Sequence, residues 1–520
     1  MHAFPFPAYR EGQRETLDAV RAAFADGARF VVLEAPTGSG KSAIGVALAR
    51  EARDAYLLTA QKLLQDQYLR DFHDLALMKG RANYDCLVQP THAAAAPCLA
   101  GRTFPECEAC PYFRAKDVAM AADRTVMNYA YHLAETNHAG GFGPRELLVL
   151  DEAHGVETAL MRFVEVRLSD EDLTRHGVHG RLPQGDDRFE LIEGVLDLVP
   201  ALHARGRTLQ NELETTPPHG ARAADLYRTK RWLDQLQARL ATLAGSVDEG
   251  DTEWVAETGR DPAGRTVALR PVEVAGLAEP LLFRFGERVL LMSATILDAE
   301  TYLRALGIDE ADAAVVRAES TFPAERRPIR LRPVARLTRH YLTNDLPKLV
   351  GEVERLMRRH DDEKGVVHAH TYRIARAIRD GLPLDLRGRL RTHASATDRD
   401  ATLTEHLSDP GPTVLLTPSM TEGIDLAGDA ARWQAICKVP YPYLGDPQVA
   451  ARQAIDPDWY AWRTCLTVVQ AYGRSVRGPD DRAVTYLLDA AFPALLRRQR
   501  ARLPDWFLDA VQEEEPADPS

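Results

Sequence analysis

The stretch Arg29-Phe30-Val31-Val32-Leu33-Glu34-Ala35-Pro36-Thr37-Gly38-Ser39-Gly40-Lys41-Ser42 joins a short apolar run to a glycine-rich turn that closes on a lysine and a hydroxyl. The run predicts a buried strand, and Ala43 to Ala52 beyond the turn predicts a helix. Strand, loop and helix form the setting of a phosphate loop, in which glycines let backbone N–H groups close around a β-phosphate. Thr37, Gly38, Ser39 and Gly40 would form the cradle, Lys41 would neutralise β/γ oxygens, and Ser42 would offer its hydroxyl to Mg²⁺. The first position is Ala35, where the usual pattern has glycine.

Two further segments suit a nucleotide held on that loop. Leu147-Leu148-Val149-Leu150-Asp151-Glu152-Ala153-His154 places adjacent carboxylates at the carboxyl end of an expected strand, the edge where open α/β sheets bind ligands. Asp151 would hold Mg²⁺, Glu152 would polarise the attacking water, and His154 would sense the nucleotide and relay its state. Alone, this string would serve equally as a helix-capping cluster; the loop upstream gives it a substrate. In Gln470-Ala471-Tyr472-Gly473-Arg474-Ser475-Val476-Arg477, the arginines at 474 and 477 share one side of a helical turn. They are candidate arginine fingers, with Gln470 in the same catalytic set; without the other motifs they would read as a solvated helix face.

At 520 residues the chain predicts three or four structural units. Apolar residues at 45% and charged residues at 27% fit a globular enzyme and exclude wholesale disorder, a collagen-like repeat or a coiled coil. With no apolar run long enough to span a bilayer, the expected location is the cytoplasm, with nucleoid association in a bacterial or archaeal host. The net charge of -12 lacks the basic excess usual in nucleic-acid binders. A local groove would suffice, and Arg326, Arg327, Arg330, Arg332, Arg336 and Arg339 form one basic stretch. A phosphate-contacting surface and a solvated connector are equally open readings of it.

Short apolar runs at Ala55 to Leu58, Leu147 to Leu150 and Val289 to Met292 predict further buried parallel strands of one α/β sheet. Helical periodicity in Phe189 to Ala204 and Ala221 to Ala244, separated by the breakers Thr215 to Gly220, predicts a mainly helical insertion over 155–275. A second alternation of strands and helices follows, with strand candidates at Gly365 to His368, Thr413 to Leu416, Ala435 to Val439 and Ala483 to Leu488. An acidic tail is expected over 513–520.

Of six cysteines, Cys86, Cys98, Cys107 and Cys110 fall in one short segment. In a chain expected to be cytosolic, such a cluster points to a metal site more than to disulfides. Spacing of the C-x₁₁-C-x₈-C-x₂-C kind does not separate a four-thiolate iron-sulfur cluster from structural zinc.

In their order these motifs resemble superfamily-two helicases of the XPD/DinG branch over nearly the whole chain, and in that resemblance alanine at the head of the phosphate loop is common. Phe4 to Gln13 resembles the branch's adenine-side motif, which implies nucleotide contacts for Arg10 and Gln13. Thr59 to Gln67 resembles its DNA-contacting motif, and Ser293-Ala294-Thr295 its coupling motif. Ser419 to Asp425 resembles the motif touching both DNA and nucleotide, with Glu422 and Asp425 the polar pair. Lys79-Gly80-Arg81-Ala82-Asn83-Tyr84-Asp85-Cys86 and Cys110-Pro111-Tyr112-Phe113 closely resemble the entry and exit of its iron-sulfur domain.

The resemblance implies two RecA-like parallel-sheet motor domains (1–316 and 317–512), an inserted iron-sulfur domain (82–118) holding a [4Fe–4S] cluster, and a helical arch (155–275). It implies an ATP- and Mg²⁺-dependent monomer that translocates 5′ to 3′ on single-stranded DNA and opens tailed duplexes, in repair or replication. Nothing after Leu503-Pro504-Asp505-Trp506-Phe507 resembles an added nuclease, so accessory activities are not expected. A DNA-stimulated ATPase that clamps nucleoprotein without unwinding is the alternative. A phosphate-loop kinase would leave the 293–295 and 470–477 motifs without a purpose.

Overall fold

The computed structural model describes residues 3–250, 252–262, 264–320, 322–393, 398–418, 426, 428–476 and 481–513. The run that opens the sequence reading is β1 (Phe30–Glu34), buried at every position. It is followed by β2 (Ala55–Thr59), β3 (Ala76–Leu77), β4 (Arg124–Asn128) and β5 (Arg145–Asp151). The chain then leaves to build an antiparallel trio, β6 (Val166–Ser169), β7 (Trp254–Asp261) and β8 (Gly264–Pro271). It returns as β9 (Gly286–Ser293) and β10 (Ala313–Arg317).

The first sheet has the order β10-β1-β9-β5-β2-β4-β3, with every pairing parallel. Apolar runs such as Phe-Val-Val-Leu suit strands covered on both faces, because helical crossovers of parallel strands pack there. The second sheet, also parallel, comprises β11 (Ile329–Ala335), β12 (Gly365–His368), β13 (Leu390–Thr392), β14 (Val414–Thr417), β15 (Trp433–Ile436), β16 (Val484–Asp489) and β17 (Val511–Glu513). Its order is β13-β14-β12-β15-β16-β11-β17. Backbone pairing of Glu513 with Leu331 carries β17 one residue into the stretch read as a tail; residues 514–520 lie outside those described.

The cysteine segment fills the connection between β3 and β4. The larger insertion contains Arg188–Leu196, Val199–Thr215 and the 29-residue helix Ala221–Glu249, which ends on Gly250 in left-handed conformation (φ 70°). It is less purely helical than its periodicity predicts. β7 and β8 pair as an antiparallel hairpin that brings Asp261 opposite Gly264. The cysteine segment braces this insertion: Arg102 donates to the carbonyls of Leu213 and Thr216, and Phe104 meets His219 at 5.9 Å between ring centroids.

The two sheets are joined by more than a linker. Helix Pro457–Tyr472 follows β15 yet packs into the apolar core of the first unit. Its Trp462 indole donates to the Ile296 carbonyl at 2.7 Å, and Trp459 donates to the buried Glu157 carboxylate at 2.9 Å. The insertion is held from the same side: Arg270 pairs with Asp446 at 2.8 Å, Gln448 donates to the Pro271 carbonyl at 2.6 Å, and buried Arg452 pairs with Glu273.

At the start of β12, a Cβ on Gly365 would fall 2.1 Å from the Trp433 ring, which is fully buried and has no room to move. Gly365→Ala is expected to destabilise the second sheet by about 1–3 kcal/mol, measured as a lower unfolding midpoint in denaturant.

Candidate functional site

Parallel register assembles the site. Glu34 at the end of β1 stands opposite Ser293 at the end of β9, and Asp151 at the end of β5 stands opposite Met292, so three distant segments end on one edge. The loop after β1 reverses through Gly38 (φ 85°) and Gly40 (φ 83°), conformations that L side chains rarely adopt. Gly40 is further constrained because a Cβ there would meet Gln13 Nε2 at 2.2 Å. Arg10 donates to the Gly38 carbonyl and Gln13 to the Gly40 carbonyl (3.0 Å), so this pair fixes the outer side of the loop. Lys41 Nζ folds over the loop to the Ala35 carbonyl at 2.9 Å.

Asp151 is buried and accepts from the Tyr68 hydroxyl at 2.9 Å. Burial, aided by the Glu152 carboxylate and opposed by Lys41, raises its carboxyl to about 6. Glu152 adopts left-handed backbone angles (φ 54°, ψ 46°), an uncommon conformation for a residue with a side chain. Its Oε2 lies 3.3 Å from His154 Nδ1, which lies 2.9 Å from Ser293 Oγ. Ser293 Oγ accepts from the Thr295 N–H at 3.1 Å, and Thr295 Oγ1 accepts from Gln470 Nε2 at 3.3 Å. A polar chain thus runs from Glu152 to the far wall of the cleft. Glu34 holds the turn beneath it, accepting from the N–H groups of Ile296 (2.7 Å) and Leu297 (2.8 Å).

The cleft holds a cavity of about 80 Å³. Pro36, Thr37, Glu152 and His154 line one wall, with Gln470 and Arg474 on the other. Elsewhere, Cys86, Cys98, Cys107 and Cys110 line one small cavity of about 10 Å³ with Leu87, Val88, Ala93, Ala96, Pro97 and Phe113 among its apolar walls. All four thiols are free, and Arg81 donates to Cys98 Sγ at 3.3 Å.

Known proteins share this design. The family description "Helicase C-terminal domain" matches residues 354–510, and "Type III restriction enzyme, res subunit" matches residues 7–168. The ATP-dependent DNA helicase YoaA of Escherichia coli is 24% identical, over 92% of this chain and 91% of that protein. A solved XPD helicase superposes with a TM-score of 0.64 at 14% identity, covering 98% of this chain and all of its own. An XPD protein of S. tokodaii gives 0.61 at 15% identity, covering 97% of this chain and all of its own. The chain is thus similar over most of its length to an ATP-dependent DNA helicase, carries a match to a helicase C-terminal domain, and shares the fold of XPD helicases.

Of the residues expected from the 35–42, 151–154 and 293–295 motifs, Pro36, Thr37, Glu152, His154, Ala294 and Thr295 line one cleft, with Gln470 and Arg474 opposite. Arg477, Glu422 and Asp425 lie outside the described residues. Two participants carry no motif of their own and are not singled out by the sequence, Tyr68 on Asp151 and Glu34 beneath the 293–297 turn, while Arg327 of the basic stretch lies in the cleft wall. The basic stretch is neither a single surface nor a loose connector. Arg332 pairs with Glu352 at 3.2 Å and Arg336 with Asp345 at 3.3 Å, while Arg327 is buried. Among the described residues no helix is long and apolar enough to cross a membrane.

The raised Asp151 carboxyl sets a pH dependence. Its folded value, about 6, exceeds the usual 3.8, so the metal-free folded state binds this proton more tightly than the unfolded chain does. The associated stabilisation is full below about pH 4 and is lost as pH rises through about 6. Metal-free Asp151→Asn is therefore expected to be more stable than wild type at pH 8, by at most about 3 kcal/mol, with the gap closing near pH 4. Thermal melts at both pH values check the sign, and Mg²⁺-dependent ATP turnover should be absent at either.

Proposed function

We propose that this protein is an XPD/DinG-like helicase of superfamily two that couples ATP hydrolysis in the cleft to 5′ to 3′ movement on single-stranded DNA and to opening of tailed duplexes, in DNA repair or replication. The observation that carries the reading is the polar chain Glu152–His154–Ser293–Thr295–Gln470, which links the water-activating carboxylate of one wall to a side chain of the other. A change at the phosphate end of that chain alters the contact between the two sheets, as a motor requires. The DNA substrate is supported by the name of the Escherichia coli relative, and the polarity by the family resemblance.

In this reading Lys41 neutralises the β/γ oxygens of ATP, and Thr37, Gly38, Ser39 and Gly40 wrap the phosphates. Ser42 and Asp151 would hold Mg²⁺, which supplies charge neutralisation between the phosphates. Glu152 polarises the attacking water, His154 relays its state, and Arg474 and Arg477 stabilise charge on the departing phosphoryl group as the cleft closes. Arg10 and Gln13 contact the nucleotide while bracing the loop, and Glu422 and Asp425 contribute from the second motor unit. The functional units are motors over 1–316 and 317–512, with the cysteine domain at 82–118 and the arch at 155–275.

Cys86, Cys98, Cys107 and Cys110 are the proposed ligands of a [4Fe–4S] cluster. Four thiols around one apolar cavity fit such a group. The cluster would supply a rigid cross-link for a segment too short to build its own core.

Strand displacement on 5′- and 3′-tailed duplexes tests the motor. Wild type should release strand from the 5′-tailed substrate, and Lys41→Ala and Glu152→Gln should each lose ATP turnover by about 100-fold or more. Glu152→Gln should still bind ATP. Ordinary turnover in either variant would sink the assignment, and turnover without strand release on any tail would identify a clamp instead.

Cys110→Ser addresses the cysteine cavity. It should lose iron and strand separation while keeping most DNA-stimulated ATP turnover, as read by metal analysis and the paired assays. A colourless wild type with one zinc per chain would replace iron by zinc.

A further inference from the structure

Arg327 sits between the two sheets, after β10 ends at Arg317 and before β11 begins at Ile329. It lines the interdomain cleft, yet only 6% of it is exposed. Its Nη2 donates to Ser320 Oγ (3.0 Å) and the Phe322 carbonyl (2.8 Å), and its guanidinium lies 5.2 Å from the Trp506 ring centroid. The Tyr472 hydroxyl donates to the Arg327 carbonyl at 2.7 Å and fixes the backbone from below. The side chain is thus well positioned, but its charge is unanswered. Among the described residues its buried Nε has no hydrogen-bond partner and no carboxylate forms an ion pair with it.

A guanidinium does not neutralise itself by losing a proton, so a buried one without an anion carries a heavy desolvation penalty. Ser475 lines the same cleft, is 1% exposed, and its buried Oγ likewise has no partner among the described residues. The cleft therefore contains a guanidinium Nε and a hydroxyl, both buried and without a hydrogen-bond partner among the described residues, in the cavity that Glu152 and Arg474 also line.

We infer that Arg327, with Ser475, forms an anion seat at the linker side of the cleft, and that its ligand is a phosphoryl group. This rests on the ATPase reading above, which supplies two sources of one chemistry: the γ-phosphate of bound ATP and the inorganic phosphate released from it. Charge-assisted bonds to a tetrahedral oxyanion satisfy the Nε and the hydroxyl together. Because Arg327 belongs to the segment joining the sheets, an occupied seat ties the linker to the nucleotide.

The test compares wild type with Arg327→Met, Arg327→Lys and Ser475→Ala, in three measurements. Calorimetry follows inorganic phosphate binding to the Mg·ADP-saturated protein, phosphate inhibition is measured on steady-state turnover, and ATPγS affinity is compared with ADP affinity. The expected result is at least a tenfold loss of phosphate or ATPγS binding in Arg327→Met, unchanged ADP affinity, and recovery to within a few-fold in Arg327→Lys. Loss confined to ATPγS assigns the seat to the γ-phosphate; loss confined to phosphate assigns it to the released product. Wild-type binding of both by Arg327→Met overturns the proposal. Should that variant not fold, Trp506 emission in wild type decides: phosphate must change it in the ADP complex, the change must be missing in Trp506→Phe, and silence overturns the seat. A wild type that binds phosphate but never turns over ATP would fail the ATPase reading and leave the seat standing.

Discussion

Everything functional in this molecule depends on the parallel alignment of β1, β9 and β5. Each brings one motif, and the register sets Glu34 beside Ser293 and Asp151 beside Met292, so residues from three distant parts of the chain finish at one level. Parallel strands make this possible because all their carboxyl ends lie on one side of the sheet. The same alignment explains where the chain could be interrupted. The cysteine segment departs between β3 and β4, and the larger insertion departs after β5 and returns before β9, so neither breaks a hydrogen-bonded strand.

Around that edge the local chemistry is costly, and the costs are specific. Glu152 holds left-handed backbone angles, and Asp151 carries a carboxylate into a buried setting. These strains sit on strand ends fixed by buried neighbours: Tyr129 donates to the Asp151 carbonyl at 2.8 Å and Tyr302 to the Ala153 carbonyl at 2.9 Å. A well-packed sheet over-determines the geometry and so tolerates strain where nucleotide chemistry needs it.

Much of this was legible in the sequence. Continuous apolar runs gave the buried strands, and glycines before Lys41 gave the loop, because both signals are local. What escaped notice was non-local or composite. Tyr68 looks like an ordinary aromatic of an amphipathic helix until folding brings it onto Asp151. Glu34 ends an apolar run and reads as its polar boundary, although its carboxylate caps backbone groups of residues 296 and 297. The arginines from 326 to 339 look alike in sequence, but strand alternation and neighbouring carboxylates divide them into ion-paired and buried members. The β7–β8 hairpin was hidden because long helices dominate the periodicity of the insertion.

The contacts at the root of the insertion have a mechanical consequence. It is covalently part of the first unit but is also gripped by the second, through Glu157 on Trp459, Arg270 on Asp446 and Glu273 on Arg452. A body mounted at two points cannot follow one support without loading the other. Were the cleft to open, load would reach the insertion through those side chains, and the ion pairs would act as a slip clutch whose holding strength falls as dissolved salt screens them.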